Sequence, residues 1–168
     1  MEGDIRIRQV READAPALAA LLNEVIARGG TTALEEPFTP EGLSAAMLTG
    51  PDVICCFVAE DAAGSLVGFQ SLTRSAQLPV GFGDIGTFTR VGHVQKGTGS
   101  RLFVATQRAA GERALTTINA TIRADNVGGL AFYGRLGFTE HSVRRAVPLN
   151  NGTPVDRISK RYALRRSD

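Results

Sequence analysis

"NVGGLAFYGRLGF", residues 126 to 138, places an asparagine before a run of small and apolar residues that contains a Phe-Tyr pair. The apolar positions recur at helical spacing, so the stretch predicts a helix with Asn126 at its start, where asparagine often caps the first turn. Taken alone, Tyr133 after Phe132 is typical of a core aromatic whose hydroxyl lies at the edge of the packing. The preceding "LTTINATIR", residues 115–123, predicts a strand, so a strand leads into this helix.

A glycine-rich loop lies upstream in "GHVQKGTGSRLF", residues 92–103, between a predicted strand at 83–94 and a predicted helix at 97–113. Backbone N–H groups at a helix N-terminus favour a phosphate-like anion, because unpaired donors and the macrodipole point at it. The loop is not a P-loop, since Lys96 precedes the first glycine. It is not a dinucleotide fingerprint either, since Leu102 stands where a third glycine is needed. For the glycine pair alone, a tight turn that binds nothing remains the alternative.

The remaining segments predict the rest of the architecture. Asp14 and Thr39 stand where the caps of two earlier helices belong, and "ARGG" at 27–30 ends the first of them. Alternating or β-branched runs predict five further strands, near residues 5–7 and at 53–60, 65–74, 138–149 and 155–164. Helices interleaved among hairpins predict an α+β fold, or mixed α/β sheet.

Composition restricts the class of protein. A chain of 168 residues suits one core, and we expect a single domain over residues 1–168. No apolar run approaches the ~20 residues of a membrane span, and the N-terminus lacks a signal-peptide pattern, so no membrane partner and a cytoplasmic location are expected. The net charge of +2 is too small to argue for nucleic acid. Cys55 and Cys56 are neighbours in a strand, so we expect reduced core thiols, and no metal-ligand spacing is found.

Together, the glycine loop and residues 126–138 resemble the paired signatures of the GNAT superfamily of acyl-CoA-dependent N-acyltransferases. The resemblance is strong over residues 84–138, and six residues match the second signature: Asn126, Gly129, Phe132, Tyr133, Gly137 and Phe138. It implies a mostly antiparallel, twisted sheet of about seven strands flanked by about four helices. "TTALEEPFTPE", residues 31–41, and residues 83–99 look like the branch that includes phosphinothricin acetyltransferase, whose members act on free amino acids or their analogues. Relatives in this branch are often homodimers.

The resemblance implies acetyl-CoA as the acyl donor, held mainly by backbone donors of the glycine loop. Val94 departs from the family, which usually has Gln or Arg there, so we expect weakened coenzyme binding. His93 is close enough to the loop to contact phosphate. The residues expected to bind the coenzyme are Thr87, Phe88, Thr89, Gln95, Lys96, Gly97, Thr98, Gly99, Ser100, Asn126 and Tyr133.

Acetyl transfer to an amine needs a base, a polarised thioester carbonyl and a donor for the departing thiolate. Asp84 lies thirteen residues before the first loop glycine, where the branch has a carboxylate, and is the expected base. Its alternative is an ordinary turn residue. Glu35 and Glu36 are expected to bind the substrate, and either is an alternative that attracts the ammonium group. A backbone N–H of residues 87–89 is expected to polarise the carbonyl, and Tyr133 to assist the thiolate.

The sequence thus predicts an N-acetyltransferase that acts on the primary amine of a small molecule, an amino acid or an analogue. Two alternatives stay open. One is an acyl-CoA-binding sensor that has lost turnover, motivated by Val94 and by an acid at Asp84 that is one methylene shorter than the usual glutamate. The other keeps the chemistry but acetylates a protein N-terminus or a lysine. Tyr133 favours an enzyme, and the Glu35–Glu36 loop favours a small acceptor.

Overall fold

The computed structural model describes residues 4–93 and 95–165, which form one seven-stranded mixed sheet with helices on both faces. The spatial order of the strands is β1-β2-β3-β4-β5-β7-β6. Every neighbouring pair is antiparallel except β4 and β5, which run parallel. The strands are β1 Arg6–Gln9, β2 Val53–Glu60, β3 Leu66–Thr73, β4 Phe82–Thr89, β5 Thr117–Arg123, β6 Thr139–Pro148 and β7 Pro154–Ala163.

Four α-helices connect these strands: α1 Ala15–Arg28, α2 Pro40–Leu43, α3 Thr98–Glu112 and α4 Val127–Leu136. A 3-10 turn, Glu12–Asp14, precedes α1, and one turn of π-helix, Ser44–Leu48, follows α2. This order confirms the predicted fold class and contains each predicted helix and strand, with bounds within a few residues of the prediction except at the end of β4. None of the described helices is long and apolar enough to cross a membrane.

The core consists of an apolar layer on each face of the sheet. On one face, Leu18 and Leu22 of α1 pack against the fully buried Phe69 of β3. On the other face, Phe103 of α3 and Tyr133 of α4 pack against the inner residues of β4 and β5. Burying a large apolar side chain contributes roughly 1.5–3 kcal/mol, so both layers hold their helices firmly against the sheet.

The two cysteines illustrate this division into two layers. Cys56 belongs to the layer with α1, whereas its neighbour Cys55 belongs to the layer with α3 and α4. Side chains alternate between the faces of a strand, so the sulfurs point apart, and both thiols are free and buried. The prediction of reduced core thiols is confirmed.

Two local predictions were wrong. Asp14 stands at the predicted N-cap position of α1, but its side chain makes no capping bond, because its carboxylate accepts two charge-assisted bonds from Arg8, at 2.8 and 2.9 Å, and one from the Arg11 N–H. The strand predicted over 83–94 stops at Thr89, since Gly92 takes a left-handed φ of 81° in a turn closed by the His93 N–H bond to the Arg90 carbonyl. Val94 lies outside the described residues.

Candidate functional site

Strands β4 and β5 diverge soon after they begin. Their pairing covers only Phe82 to Asp84 on β4 and Thr117 to Asn119 on β5, although β4 continues to Thr89. Beyond Asp84, the two strands therefore open into a cleft on the side where α3 and α4 begin. A cavity of about 770 Å³ occupies this region and is lined by residues of β4, β5, α1, α3, α4 and the loops between them. Its volume lies within the ~300–1,000 Å³ typical of small-molecule sites.

The glycine loop forms one wall of the cavity. Gly97 is the N-cap of α3 and has a left-handed φ of 87°, which explains why glycine stands there. His93 Nε2 lies 3.0 Å from Thr98 Oγ1, which ties the incoming chain to the first residue of the helix. The N–H groups of the first turn of α3, which have no partner within the helix, thus border the cavity and fit an anion such as the pyrophosphate of a coenzyme. Five predicted coenzyme residues of the loop line the cavity: Gln95, Gly97, Thr98, Gly99 and Ser100. Lys96, which the sequence also predicts to bind the coenzyme, does not line the cavity.

Gly99 is small for a reason that the sequence pattern does not show. A Cβ on Gly99 would lie 2.8 Å from Cε2 and 2.9 Å from Cζ of Phe132, on α4. Real Cβ atoms essentially never approach a neighbour so closely, so Gly99 is where α3 and α4 come together. At Gly97, by contrast, a Cβ would meet no heavy atom within 4 Å among the described residues.

Asp84 lies in β4 and its side chain lines the cavity. It is a strand residue rather than the turn residue that was its alternative. Asn119 of β5, its neighbour across the parallel pair, donates from Nδ2 to Asp84 Oδ1 at 3.0 Å. Burial raises the pKa of Asp84, and the bond from Asn119 opposes that shift without reversing it. A raised pKa makes the carboxylate a better proton acceptor than an exposed aspartate.

Tyr133 reaches the same cavity from α4. Its ring packs edge-on against Phe132 and Phe138, at centroid distances of 4.9 and 5.1 Å. Its hydroxyl oxygen lies 2.9 Å from Thr87 Oγ1 of β4. Burial raises the pKa of Tyr133 to about 12, so the phenol keeps its proton at neutral pH. The packing fixes the ring, and one polar neighbour fixes the hydroxyl.

The predicted coenzyme residues of β4, Thr87 to Thr89, also line the cavity, in the part of the strand beyond its pairing with β5. The side chains alternate along this strand, so Asp84 and Thr87 leave opposite faces of β4. Both groups still reach one cavity, because β5 no longer separates the two faces there.

Asn126 is the N-cap of α4. Its Oδ1 accepts from the Gly129 N–H at 2.9 Å, and its Nδ2 donates to the Thr31 carbonyl at 3.2 Å. A Cβ on Gly129 would collide with the Asn126 side chain, which explains the small residue three positions after the asparagine. Asn126 therefore fastens the loop between α1 and α2 to the start of α4, and it also lines the cavity.

The same loop is held by three more hydrogen bonds, at Thr32 and Phe38. Arg123 of β5 donates to the Thr32 carbonyl at 3.3 Å while its guanidinium also pairs with Asp125. Asn23 of α1 donates to the Phe38 carbonyl and accepts from the Phe38 N–H. These bonds arrange residues 31–34 along the cavity wall, beside the exposed Arg28 at the last turn of α1.

Glu35 and Glu36, predicted to bind the substrate, point elsewhere in this structure. The Glu35 carboxylate accepts from the Asn150 N–H at 3.0 Å, and Glu36 Oε1 accepts from Asn150 Nδ2 at 2.8 Å. Asn150 lies in the turn between β6 and β7, and neither glutamate is among the residues that line the cavity. Their role in substrate binding stays a prediction.

Sequence reasoning missed Asn119, Gln70, Arg28 and Arg123. Gln70 is fully buried in β3, and its Nε2 donates to Thr87 Oγ1 at 2.9 Å. A signal was present, since Gln70 and Asn119 are amide side chains within apolar strand runs and buried amides need partners. The sequence could not show which partners they find. Among the described residues, no group of three His, Cys, Asp or Glu side chains could hold a metal ion.

Comparison with solved structures shows the same fold in other acetyltransferases. A phosphinothricin acetyltransferase of the GNAT superfamily from Sinorhizobium meliloti, in complex with acetyl-CoA, superposes with a TM-score of 0.82 at 18% identity, covering 95% of this chain and 88% of that one. A ribosomal-protein-alanine N-acetyltransferase from Brucella melitensis gives 0.81 at 22% identity, covering 95% and 99%. A GCN5-related N-acetyltransferase from Kribbella flavida gives 0.82 at 19% identity, covering 95% and 98%.

A search among curated proteins found no match. The sequence profile described as the acetyltransferase (GNAT) family matches residues 19–138, which include β4, the glycine loop, α3, β5 and α4. These are the elements that surround the cavity. The chain therefore belongs to the acetyltransferase (GNAT) family and is an acetyl-CoA-dependent N-acetyltransferase.

Proposed function

We propose that this protein transfers an acetyl group from acetyl-CoA to the primary amine of an amino acid or an amino-acid analogue. The observation that carries the proposal is the meeting, in one cavity, of a half-buried carboxylate, a buried phenol and the N-terminus of α3. The bound coenzyme would supply the acetyl thioester, with the loop from Gln95 to Ser100 holding its pyrophosphate. Residues 87–89 of β4 would line its arm.

Asp84 is the proposed base. An amine bound as ammonium cannot attack a carbonyl until it loses a proton. Asp84 is the carboxylate among the described residues that line the cavity. Its raised pKa narrows the gap to the pKa of the ammonium and so eases that transfer. The Asn119 amide keeps the carboxylate oriented while it accepts the proton.

Tyr133 is the proposed donor to the departing sulfur. As the new N–C bond forms, the C–S bond breaks and its electron pair stays on sulfur. A phenol with a pKa of about 12 is a weaker acid than a thiol at ~8.5, so Tyr133 stabilises the thiolate by a hydrogen bond. Of the two protons lost by the ammonium nitrogen, one leaves through Asp84 to water and one reaches sulfur through solvent.

Arg28 supports an acceptor that carries a carboxylate. It lines the cavity that also contains Asp84, so the site offers a negative group for an ammonium and a positive group for a carboxylate. Arginine recognises carboxylates through its planar fork of donors. A free amino acid carries both an ammonium group and a carboxylate, so it could interact with Asp84 and Arg28 together.

An acceptor screen with acetyl-CoA tests the proposal by following thiol release across amino acids, phosphinothricin-like compounds, polyamines and peptides. We expect the amino acids or their analogues to be acetylated fastest. A preference for peptides would instead support a protein acetyltransferase. Acetyl-CoA binding without turnover of any amine would support the sensor.

Tyr133→Phe, which keeps the ring packing, should lower turnover on the order of 10²-fold, the usual effect of losing one positioned donor. Tyr162→Phe is the matched control, because Tyr162 is bonded to Gln107 and is not among the residues that line the cavity. Equal turnover in the two variants would remove Tyr133 from the mechanism.

The homodimer and the cytoplasmic location stay predictions. We infer that β6 is the surface for a second copy, because it is an edge strand of ten residues whose side chains are almost all exposed. Long exposed edges are usually covered or charged. Light scattering tests the dimer, and a monomer across the concentration range of the activity assay would overturn it.

A further inference from the structure

Gln70 is a polar side chain in a place where an apolar one would cost less. It lies in the middle of β3, is 0% exposed, and is flanked by Phe69 and the buried Ser71. Its Nε2 donates to Thr87 Oγ1, while its Oε1 is buried without a hydrogen-bond partner among the described residues. Burying an amide whose oxygen has no hydrogen-bond partner costs free energy. A residue retained at that cost calls for a role beyond packing.

The hydrogen-bond donors and acceptors of Gln70, Thr87 and Tyr133 favour one direction for the hydrogen bond between Thr87 and Tyr133. A threonine hydroxyl has one proton and two acceptor lone pairs. The amide nitrogen of Gln70 can only donate, so it uses a lone pair of Thr87 Oγ1 and leaves the threonine proton available. The neighbour in reach of that proton is the Tyr133 oxygen, at 2.9 Å. The 2.9 Å distance fits either direction, and the bond accepted from Gln70 favours the one in which Thr87 donates to Tyr133, because a hydroxyl that already accepts one hydrogen bond is a stronger donor and a weaker acceptor.

Without Gln70, the direction would reverse. A phenol is far more acidic than an aliphatic alcohol, so an isolated tyrosine–threonine pair prefers the phenol as donor. Tyr133 would then direct its proton to Thr87 Oγ1 and away from the cavity. Gln70 opposes this by donating to one of the two lone pairs of Thr87 Oγ1, which makes that oxygen a weaker acceptor for the phenol.

We propose that Gln70, acting through Thr87, is a positioning residue that orients the Tyr133 hydroxyl proton into the cavity, where it meets the departing sulfur. This inference rests on the proposed function, because it takes Tyr133 as the donor to the thiolate. Accepting a bond from Thr87 also polarises the phenol and strengthens the bond that it donates in turn. Neither Gln70 nor Thr87 exchanges a proton with the substrate.

A double-mutant cycle tests whether Gln70 acts through Tyr133. Gln70→Met keeps an unbranched side chain of similar size and removes the amide. We expect it to lower kcat about tenfold, part of the ~10²-fold that one positioned donor contributes, with the KM for acetyl-CoA unchanged. In a Tyr133→Phe background, which has no hydroxyl to orient, Gln70→Met should change kcat by less than about twofold. An equal fall in both backgrounds would show a structural role and overturn the proposal, as would a Tyr133→Phe variant with native kcat.

A spectroscopic test needs no acceptor. The chain contains two tyrosines and no tryptophan, so Tyr162→Phe leaves Tyr133 as the one tyrosine. The Raman doublet of tyrosine distinguishes a phenol that accepts a hydrogen bond from one that donates. We expect a Tyr133 that accepts a hydrogen bond, whether or not it also donates one into the cavity, in the Tyr162→Phe protein, and a shift towards donation alone when Gln70→Met is added. A Tyr133 that only donates before that change, or no shift after it, would overturn the proposal.

The two tests also separate this inference from the proposed function. Failure of every amine to release thiol would refute the function, while the Raman doublet would still report the orientation. If Gln70→Met does not fold, Gln70→Asn serves in both experiments, because it draws the amide back by one methylene and out of reach of Thr87.

Discussion

Replacing Gly99 with alanine should destabilise the protein through a clash with Phe132. The added Cβ would lie 2.8 and 2.9 Å from two ring carbons, whereas carbon atoms prefer about 3.5–4.0 Å. Overpacking costs roughly 1–3 kcal/mol, and a ring edge that is only half-buried can turn away, so we expect about 1–2 kcal/mol. Alanine recovers at most about 1 kcal/mol in helix propensity. The net loss should be about 1 kcal/mol, or roughly 2–4 °C in Tm for a chain of this length.

Urea unfolding of four proteins measures this contact: the native chain, Gly99→Ala, Phe132→Leu and the double variant. Leucine lacks the two ring atoms that the Cβ would meet. Gly99→Ala should therefore be neutral or slightly stabilising in the Phe132→Leu background, which gives a coupling of about 1–2 kcal/mol. Equal stability changes in both backgrounds would refute the reasoning.

Calorimetric titration with acetyl-CoA then separates packing from coenzyme contact. If the clash displaces Phe132 and thereby α4, Phe132→Leu should restore the affinity that Gly99→Ala loses. If the Cβ meets the pyrophosphate instead, as the sequence pattern predicts, affinity stays low in the double variant. Unchanged affinity and stability in Gly99→Ala would contradict both explanations.

Three further changes test other parts of the site. Asp84→Asn should slow turnover on the order of 10²-fold and remove the low-pH limb, unless that limb follows the pKa of the acceptor amine when acceptors are compared. Because burial raises the folded-state pKa of Asp84, native stability should fall as pH rises above the ordinary value of 3.8, and urea unfolding of Asp84→Asn should lack that fall. Asn126→Ala should cost about 1 kcal/mol from the lost cap, and unchanged acetyl-CoA affinity after correction for folded fraction would assign it to the cap alone. Asn23→Ala removes both hydrogen bonds that hold Phe38 in the loop between α1 and α2. The KM for the acceptor should then rise more than the KM for acetyl-CoA. Equal changes in both KM values would count against a role of this loop in acceptor binding.

Much of the fold was predictable because its determinants are local. Thr39 caps α2 through its own hydroxyl, which accepts from the Gly42 N–H, as its position before Pro40 predicted. Gly97 and Asn126 mark helix starts for reasons that lie within a few residues of each. The resemblance to the phosphinothricin acetyltransferase branch likewise implied a carboxylate at Asp84, which lies in β4 beside the cleft.

The pairing of distant polar groups was not predictable. Asn119 meets Asp84 only because β5 aligns with β4 in one particular register, and Gln70 meets Thr87 because β3 does. Asp14 was expected to cap a helix but pairs with Arg8, since a guanidinium in reach binds a carboxylate more strongly than a backbone N–H does. The Glu35–Glu36 loop reached Asn150 through a contact more than a hundred residues away in sequence.

The sequence by itself determined where helices begin, where the backbone turns and which loop can receive an anion, because those features depend on the conformational freedom and the hydrogen bonds of adjacent residues. Only the tertiary structure decided that Gly99 must be small to admit Phe132, that Asn119 donates to Asp84 and that Gln70 donates to Thr87. Each of these depends on a distance of about 3 Å between atoms of different elements. Such distances follow from strand register and helix packing, which the whole core sets together.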